Sequence, residues 1–459
     1  MKKYALFALL TCLSAPLFSI KSEIGLGPTP PWYDKTADCR LPTVDSLAPL
    51  LTANEAVRIA LENNYGIQIE RGNAEIAHLN NIKANAGMVP VVNLVANDNF
   101  SYNAFYQQLS NGNEFAEAGA PFNTINAAVQ LNWTIYDGRR MYIAKDRLEQ
   151  QELLGQHNLE AVVQQTTANV LQSYYQIVGN RLQEIASAEL IALTDERLRI
   201  AEARLAAGFA ASSDALQARI DLNQQRATLV GQEYSTSAAK RRLNLLLIRP
   251  AETAFSVDEN MTNTYVPERE ALLTKLQTQN PALLAAMTNV EVFTLQAEEA
   301  QTLNKLRVQA LGQLGGTRTD NGAGFLLNNT QAGVTVGFGV VLPLYTGGNL
   351  RRQIDVASVQ ARQAVFLADD FKLTLENNLD EQIAFFQAQQ EVLTIEEETV
   401  ISARENLRVS TERFRLGQTT SLEVQTAQNS LAQSLNRRNL VLFGMKVAEV
   451  QLRLIAGEL

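Results

Sequence analysis

Two carboxylates recur in equivalent settings. Asp214 follows Gly208 by six residues, and Glu423 follows Gly417 by six. An acid in the first turns of a helix meets the partial positive charge of the helix N-terminus, so a purely structural role suffices for either. Acid–base catalysis would need companions, and the chain has only two histidines, His78 and His157, neither in a recognisable triad motif. Two cysteines exclude a disulfide framework, a zinc ribbon and a Cys-ligated cluster. There is no phosphate loop and no metal-ligand spacing, and Gly337-x-Gly339 reads as part of an extended segment. No enzymatic activity, cofactor or metal is therefore expected. With 39 Lys+Arg against 48 Asp+Glu, the formal charge of −9 argues against nucleic acid as a partner.

The elements that must position these acids are long helices. None of the 12 prolines lies between Pro121 and Pro250 or after Pro343, and interior proline breaks helices. Inside those stretches apolar residues recur at steps of three and four, as in Leu171, Tyr174, Val178, Leu182, Ile185 and in Phe371, Leu375, Leu379, Ile383, Phe386. This is an amphipathic, coiled-coil-like spacing. Each stretch has one break, at Gly208 or Gly417. The Ser and Thr residues that follow (Ser212, Ser213, Thr419, Ser421) suit a helix stop and a new N-cap. The spacing predicts two helical hairpins whose first arms, 138–207 and 348–416, are each about 70 residues, or ~105 Å, long.

The two halves of the chain match at a constant offset of 209. Tyr136-Asp137-Gly138 matches Tyr345-Thr346-Gly347, Arg204 and Gly208 match Arg413 and Gly417, and Ala218 and Leu222 match Ala427 and Leu431. The chain is a tandem repeat. Helices over 52–87 and 213–247 would together equal the long arm between them, and the same holds for 268–303 with 421–456. Asp137 and Thr346 precede the long arms and read as N-caps. Tyr136 and Tyr345 end apolar segments and suit a membrane interface, with ordinary core packing as the other reading.

Before each long arm come two alternating segments. Ile125, Ala127, Val129, Leu131, Trp133 and Ile135 alternate with polar or small residues, and Ala332, Val334, Val336, Phe338 and Val340 do the same. Alternation over about ten residues fits tilted transmembrane strands with one face to lipid and one to water. The strands are expected at about 89–103, 123–136, 305–316 and 330–344, joined in pairs by polar loops 103–122 and 316–330. Four strands cannot close a barrel, and an open edge in lipid leaves backbone groups unsatisfied. Several copies must then share one barrel, and three give twelve strands. A periplasm-spanning coiled coil without a pore is the competing reading.

The repeat, the paired strands and the hairpins together resemble the TolC family of outer-membrane efflux proteins. The most specific stretches are Leu131-Asn-Trp-Thr-Ile-Tyr-Asp-Gly-Arg139, its counterpart Val341–Gly348, and the turn Arg413-Phe-Arg-Leu-Gly417-Gln-Thr-Thr-Ser421. The resemblance covers about residues 51–457. It implies a helix-dominated homotrimer with a 12-stranded barrel in the outer membrane and a helical tunnel reaching into the periplasm. A periplasmic adaptor would join it to an inner-membrane pump of the RND, ABC or MFS type. By the same resemblance Glu423, with Asp214 as its first-repeat counterpart, narrows the periplasmic mouth. The family's second acid, three residues further on, is replaced here by Thr426. The turns around Gly208, Ser212 and Ser213 and around Gly417, Thr419 and Ser421 would face the adaptor.

The chain opens with basic Lys2-Lys3 and a nearly uncharged run from Tyr4 to Phe18, which reads as a signal peptide over 1–22. Cys12 follows Leu9-Leu10-Thr11, a loose match to a lipoprotein signal, and Cys39 is a lone thiol in the tail. A proline-rich tail over 23–50 reads as extended. The first repeat is expected over 51–247, a linker over 248–267 and the second repeat over 268–459.

Overall fold

The computed structural model describes residues 48–262, 264–323 and 326–459. The signal peptide, Cys12, Cys39 and all but the last residues of the tail lie outside them. In chain order the elements are β1 (Leu50–Leu51), α1 (Ala53–Asn63), α2 (Tyr65–Asn80), β2 (Val91–Gln108), β3 (Glu114–Tyr136), α3 (Arg140–Ala206) and α4 (Ser212–Leu246). The second half runs β4 (Ser256–Val257), α5 (Arg269–Gln279), α6 (Pro281–Gln301), β5 (Arg307–Asn321), β6 (Asn328–Val341), α7 (Asn349–Arg415) and α8 (Ser421–Ala456).

The long arms α3 and α7 are each 67 residues, about 100 Å at 1.5 Å per residue. The single helices expected over 52–87 and 268–303 are each two helices. Asn64 breaks the first: its Oδ1 accepts from Gly66 N and Ile67 N, starting α2. Asn280 breaks the second: its Oδ1 accepts from Leu283 N, and Pro281 occupies the first helical position, where its missing N–H costs nothing. Each asparagine also uses its amide. Asn64 Nδ2 donates to Leu246 O at 3.2 Å and Asn280 Nδ2 to Ile455 O at 2.9 Å. Leu246 and Ile455 are themselves 209 apart, so each break closes the end of the returning helix in its own repeat. The first broken helix also stops at Asn80, before the expected residue 87.

Three large apolar clusters lie along the helices. One joins α1, β1, α3, α4 and β4 around Leu51, Tyr174, Leu243 and Phe255. Its counterpart joins α5, α6, α7 and α8 around Leu276, Leu283, Phe386 and Leu452. The third, with Leu190, Ile200, Val400, Phe414 and Val424, fuses the turn ends of both hairpins. Tyr174 bridges the first cluster: its hydroxyl donates to Leu51 O at 3.1 Å and accepts from Asp258 N. Burial raises the pKa of its phenol.

β1 and β4 form a short parallel pair, and the four long strands form one antiparallel sheet in the order β2-β3-β5-β6, leaving β2 and β6 as edges. They are longer than expected toward the loops. The polar loop 103–122 is mostly strand, closed by a tight turn in which Leu109 N donates to Asn113 O at 2.8 Å. The hairpin partner satisfies these backbone groups, so no apolar face is needed to hold them extended. At the helix end the second pair is shorter: β5 starts at Arg307 and β6 stops at Val341, two residues before Pro343, which has no N–H to pair.

Register assigns the faces. Val92, Leu131, Gly312 and Val336 form one cross-strand row, and Leu94, Val129, Leu314 and Val334 the next on that face. The opposite face carries the row Asn93, Gln130, Gln313, Thr335, then Val95, Ala128, Gly315, Gly333. Rows Asn97, Asn126, Thr317, Gln331 and Asn99, Thr124, Thr319, Asn329 follow. The apolar face is bare: Val336 is 74% and Leu94 77% exposed.

Candidate functional site: the hairpin turns and the strand–helix junctions

The two turns have one geometry. Gly208 N donates to Leu205 O at 3.0 Å and Phe209 N to Arg204 O at 2.8 Å; Gly417 N donates to Phe414 O at 3.0 Å and Gln418 N to Arg413 O at 2.8 Å. This double bond pattern is a Schellman motif. It requires a left-handed residue, and the glycines sit at φ 76° and 75°. The expected side-chain caps are missing. The N-cap positions are Ala211 and Thr420, and neither side chain accepts a cap bond. Asp214 and Glu423 supply the first-turn negative charge instead. Ser212 and Ser213 are exposed, whereas Ser421 is buried.

The acids differ in their partners. Glu423 is ion-paired with Arg413 at 2.7 Å and accepts a hydrogen bond from the Thr419 hydroxyl. Asp214 has no ion pair among the described residues, because its nearest repeat-equivalent arginine is engaged elsewhere. Arg204 donates to Phe414 O at 2.9 Å and lies 4.8 Å from the centre of the Phe414 ring. The arginine that closes its own turn in the second repeat thus braces the two turns together in the first. Further ties join the hairpins: Arg415 to Glu196 at 2.9 Å, Arg404 to Glu189 at 2.9 Å, and Gln425 Nε2 to Asp221 at 2.9 Å. Asp221 also pairs with the fully buried Arg197. Sequence reasoning missed this network. The arginines were visible, but the partners of Arg204, Arg404 and Arg415 across the hairpins lie more than 200 residues away in the chain.

At the strand–helix junctions, Gly138 (φ 73°) and Arg139 (φ 77°) match Gly347 (φ 59°) and Gly348 (φ 80°), two left-handed residues in succession. The N-cap position of α3 is Arg139, not Asp137 as expected, but the Asp137 carboxylate still satisfies the first turn, accepting from Met141 N at 3.0 Å. Thr346 does not; Asn349 N donates to its backbone carbonyl at 3.2 Å. Paired glycines there make the turn without a side-chain acceptor. Tyr136 and Tyr345 are both exposed, Tyr345 at 90%, which removes ordinary core packing as their role within one copy.

Residues 57–247 and 272–458 match the outer membrane efflux protein family. The chain belongs to that family. It is 24% identical over 320 residues to the outer membrane efflux protein BepC of Brucella suis biovar 1 (strain 1330). That match takes in 67% of this chain and 66% of the relative, so the chain spans about two thirds of that protein's length. The fold is that of solved outer-membrane channels. VceC of Vibrio cholerae superposes with a TM-score of 0.74 at 19% identity, over 88% of this chain and 96% of the other. CmeC of Campylobacter jejuni gives 0.75 at 14%, over 88% and 85%. Membership places the protein in the outer membrane. Among the described residues no helix is long and apolar enough to cross a membrane.

Proposed function

We propose that three copies of this chain form a passive conduit of a tripartite export system, carrying substrate across the periplasm and the outer membrane. The observation that carries this reading is the four-stranded sheet with one bare apolar face and two open edges, set on helices about 100 Å long. Lipid does not tolerate unpaired strand edges, so β2 and β6 must pair with neighbouring copies, and three copies give a 12-stranded barrel. The tunnel is then built from α3, α4, α7 and α8 of each copy. The repeats 51–247 and 268–459, with the linker 248–267 between them, are the units of that tunnel, and 1–22 is a cleaved signal.

The turn ends face the periplasm. Gly208, Ser212, Ser213, Gly417, Thr419 and Ser421 form the surface offered to a periplasmic adaptor, which links the conduit to an inner-membrane pump of the RND, ABC or MFS type. Asp214 and Glu423 ring the mouth, with the unpaired Asp214 the stronger contributor in the closed state. Tyr136 and Tyr345 lie at the periplasmic edge of the lipid. The protein performs no chemistry. Reconstitution tests the whole reading: the detergent-extracted protein should conduct ions in a planar bilayer. A pure preparation that inserts and never conducts supports the pore-free envelope coil instead.

A further inference from the structure

Over its four-stranded part the polar face of the sheet carries no charge. Where all four strands pair, it comprises residues 91 to 101 of β2, 122 to 132 of β3, 311 to 321 of β5 and 329 to 337 of β6, taken in steps of two. Every one of these is Asn, Gln, Ser, Thr, Gly or apolar. The same stretch does contain charged residues, Asp98, Arg318 and Asp320, but register sets all three on the other face. The segregation therefore runs opposite to solvation alone, which would send charge to the wetter side. Charge returns on this face only beyond that stretch: at the helix end with Arg307, opposite Val341 and beyond Gln309, and at the loop end with Glu117, paired with Phe105 past the bulge in the β2–β3 hairpin.

The polar groups are partly engaged with one another. Thr317 Oγ1 donates to Asn126 Oδ1 at 2.6 Å, and Thr124 lies 3.5 Å from Thr319 in the next row. The row between Asn126 and Gln130 is small, Val95, Ala128, Gly315 and Gly333. At Gly315 an added Cβ would come within 2.5 Å of Ala128 Cβ. The face is thus hollowed at this row between two rows of amides and hydroxyls. Such groups present dipoles of both signs, acceptors beside donors, and no fixed monopole. Ion selection by a wide pore needs rings of like charge or a narrow filter, and this face supplies no ring.

We infer that the barrel segment is a charge-neutral, hydrogen-bonding sleeve that passes cations, anions and uncharged solutes alike. Charge discrimination then belongs outside this segment, to the tunnel side beginning at Arg307 and to the loop end at Glu117. This rests on the barrel reading above, which sets the polar face toward the lumen.

The test measures local potential inside the sleeve. Gln313→Cys and Thr335→Cys are made separately in the full chain, with the parent chain giving the background from its native thiols. Each trimer in outer-membrane vesicles is treated with a cationic and with an anionic water-soluble methanethiosulfonate. A neutral sleeve gives a rate ratio within about twofold of that for a free thiol, unchanged between low and high salt. A preference of about tenfold or more for either reagent, collapsing in high salt, overturns the inference. Two substituted positions guard against one failing to assemble. Val334→Cys separates the two readings: if it reacts with the water-soluble reagents while Gln313→Cys and Thr335→Cys do not, the face assignment and the barrel reading fail together. A strong charge preference at Gln313→Cys with Val334→Cys unreactive sinks the neutral sleeve and leaves the barrel intact.

Discussion

At the scale of single residues, left-handed glycines separate by what surrounds them. Gly208 and Gly457 have nearly the same φ, 76° and 77°. A Cβ at Gly208 meets nothing within 4 Å, whereas one at Gly457 comes within 2.6 Å of Gln279 O. Gly208→Ala should cost only the left-handed strain, about 1–2 kcal/mol. Gly457→Ala should cost clearly more, since backbone at the α5–α6 break has to shift; chemical denaturation of both variants gives the comparison, and equal losses would contradict the contact. The repeat puts Ile248, at φ 54°, where the second half has Gly457, so the first repeat tolerates the same turn with a side chain. The mouth acids differ in the same local way. Asp214→Asn should weaken block by a trivalent cation added from the turn end, and Glu423→Gln alone should weaken it less, because Arg413 already neutralises Glu423 in the closed state. Single-channel recordings with the cation on each side in turn decide this. Unaltered block in the double variant would leave both acids as helix-end residues, worth about 0.3–1 kcal/mol of stability each.

At the scale of elements, the sheet and the helix junctions make separate predictions. Val129→Arg and Val336→Arg place a charge on the bare apolar face and should impair assembly far more than Gln130→Arg or Thr335→Arg. The lipid-face cost is about 2–4 kcal/mol at the bilayer midplane, and trimer yield on a gel reads it. The contact between the end of α2 and α3 should weaken in acid. Hydrogen bonds from Asn81 and then His78 hold the Glu152 carboxyl below the usual carboxylate range. A folded pKa below the unfolded one gives stability that is present above the unfolded pKa and lost as pH falls through the folded one. The melting temperature of the parent should therefore exceed that of Glu152→Gln at pH 6, and the gap should shrink as the pH falls below the ordinary carboxylate range. A gap independent of pH would show that the hydrogen bonds, not the charge, matter.

For the whole molecule, the decisive prediction is the assembly state. The open edges β2 and β6 and the bare apolar residues on α4 and α7, such as Tyr234, Phe366 and Ile401, require neighbours. The detergent-extracted protein should have the mass of a trimer, and a stable monomer with full strand content would remove the basis for a shared barrel. The cross-hairpin pairs Arg415–Glu196 and Arg404–Glu189 are half-exposed, so each contributes little. The apolar cluster beneath them holds the turn ends together.

Local pattern made most of this architecture legible in the residues themselves. The 209-residue offset, the proline-free stretches and the period-two alternation specify repeat, helix and strand because each depends on neighbours in the chain. The breaks at Asn64 and Asn280 were also written locally, as Asn63-Asn64-Tyr-Gly66 and Asn280-Pro281, turn-prone pairs that the apolar periodicity on either side concealed. Tertiary structure alone decided which groups meet. Glu423 and Asp214 look equivalent in sequence, yet one is neutralised by Arg413 and the other has no ion pair among the described residues. The cause is that Arg204 binds the far hairpin at Phe414. The neutrality of the polar sheet face likewise needed the register, because alternation within one strand does not say which face its neighbours share. Periodicity is a property of consecutive residues, whereas pairing is set by packing between segments far apart in the chain.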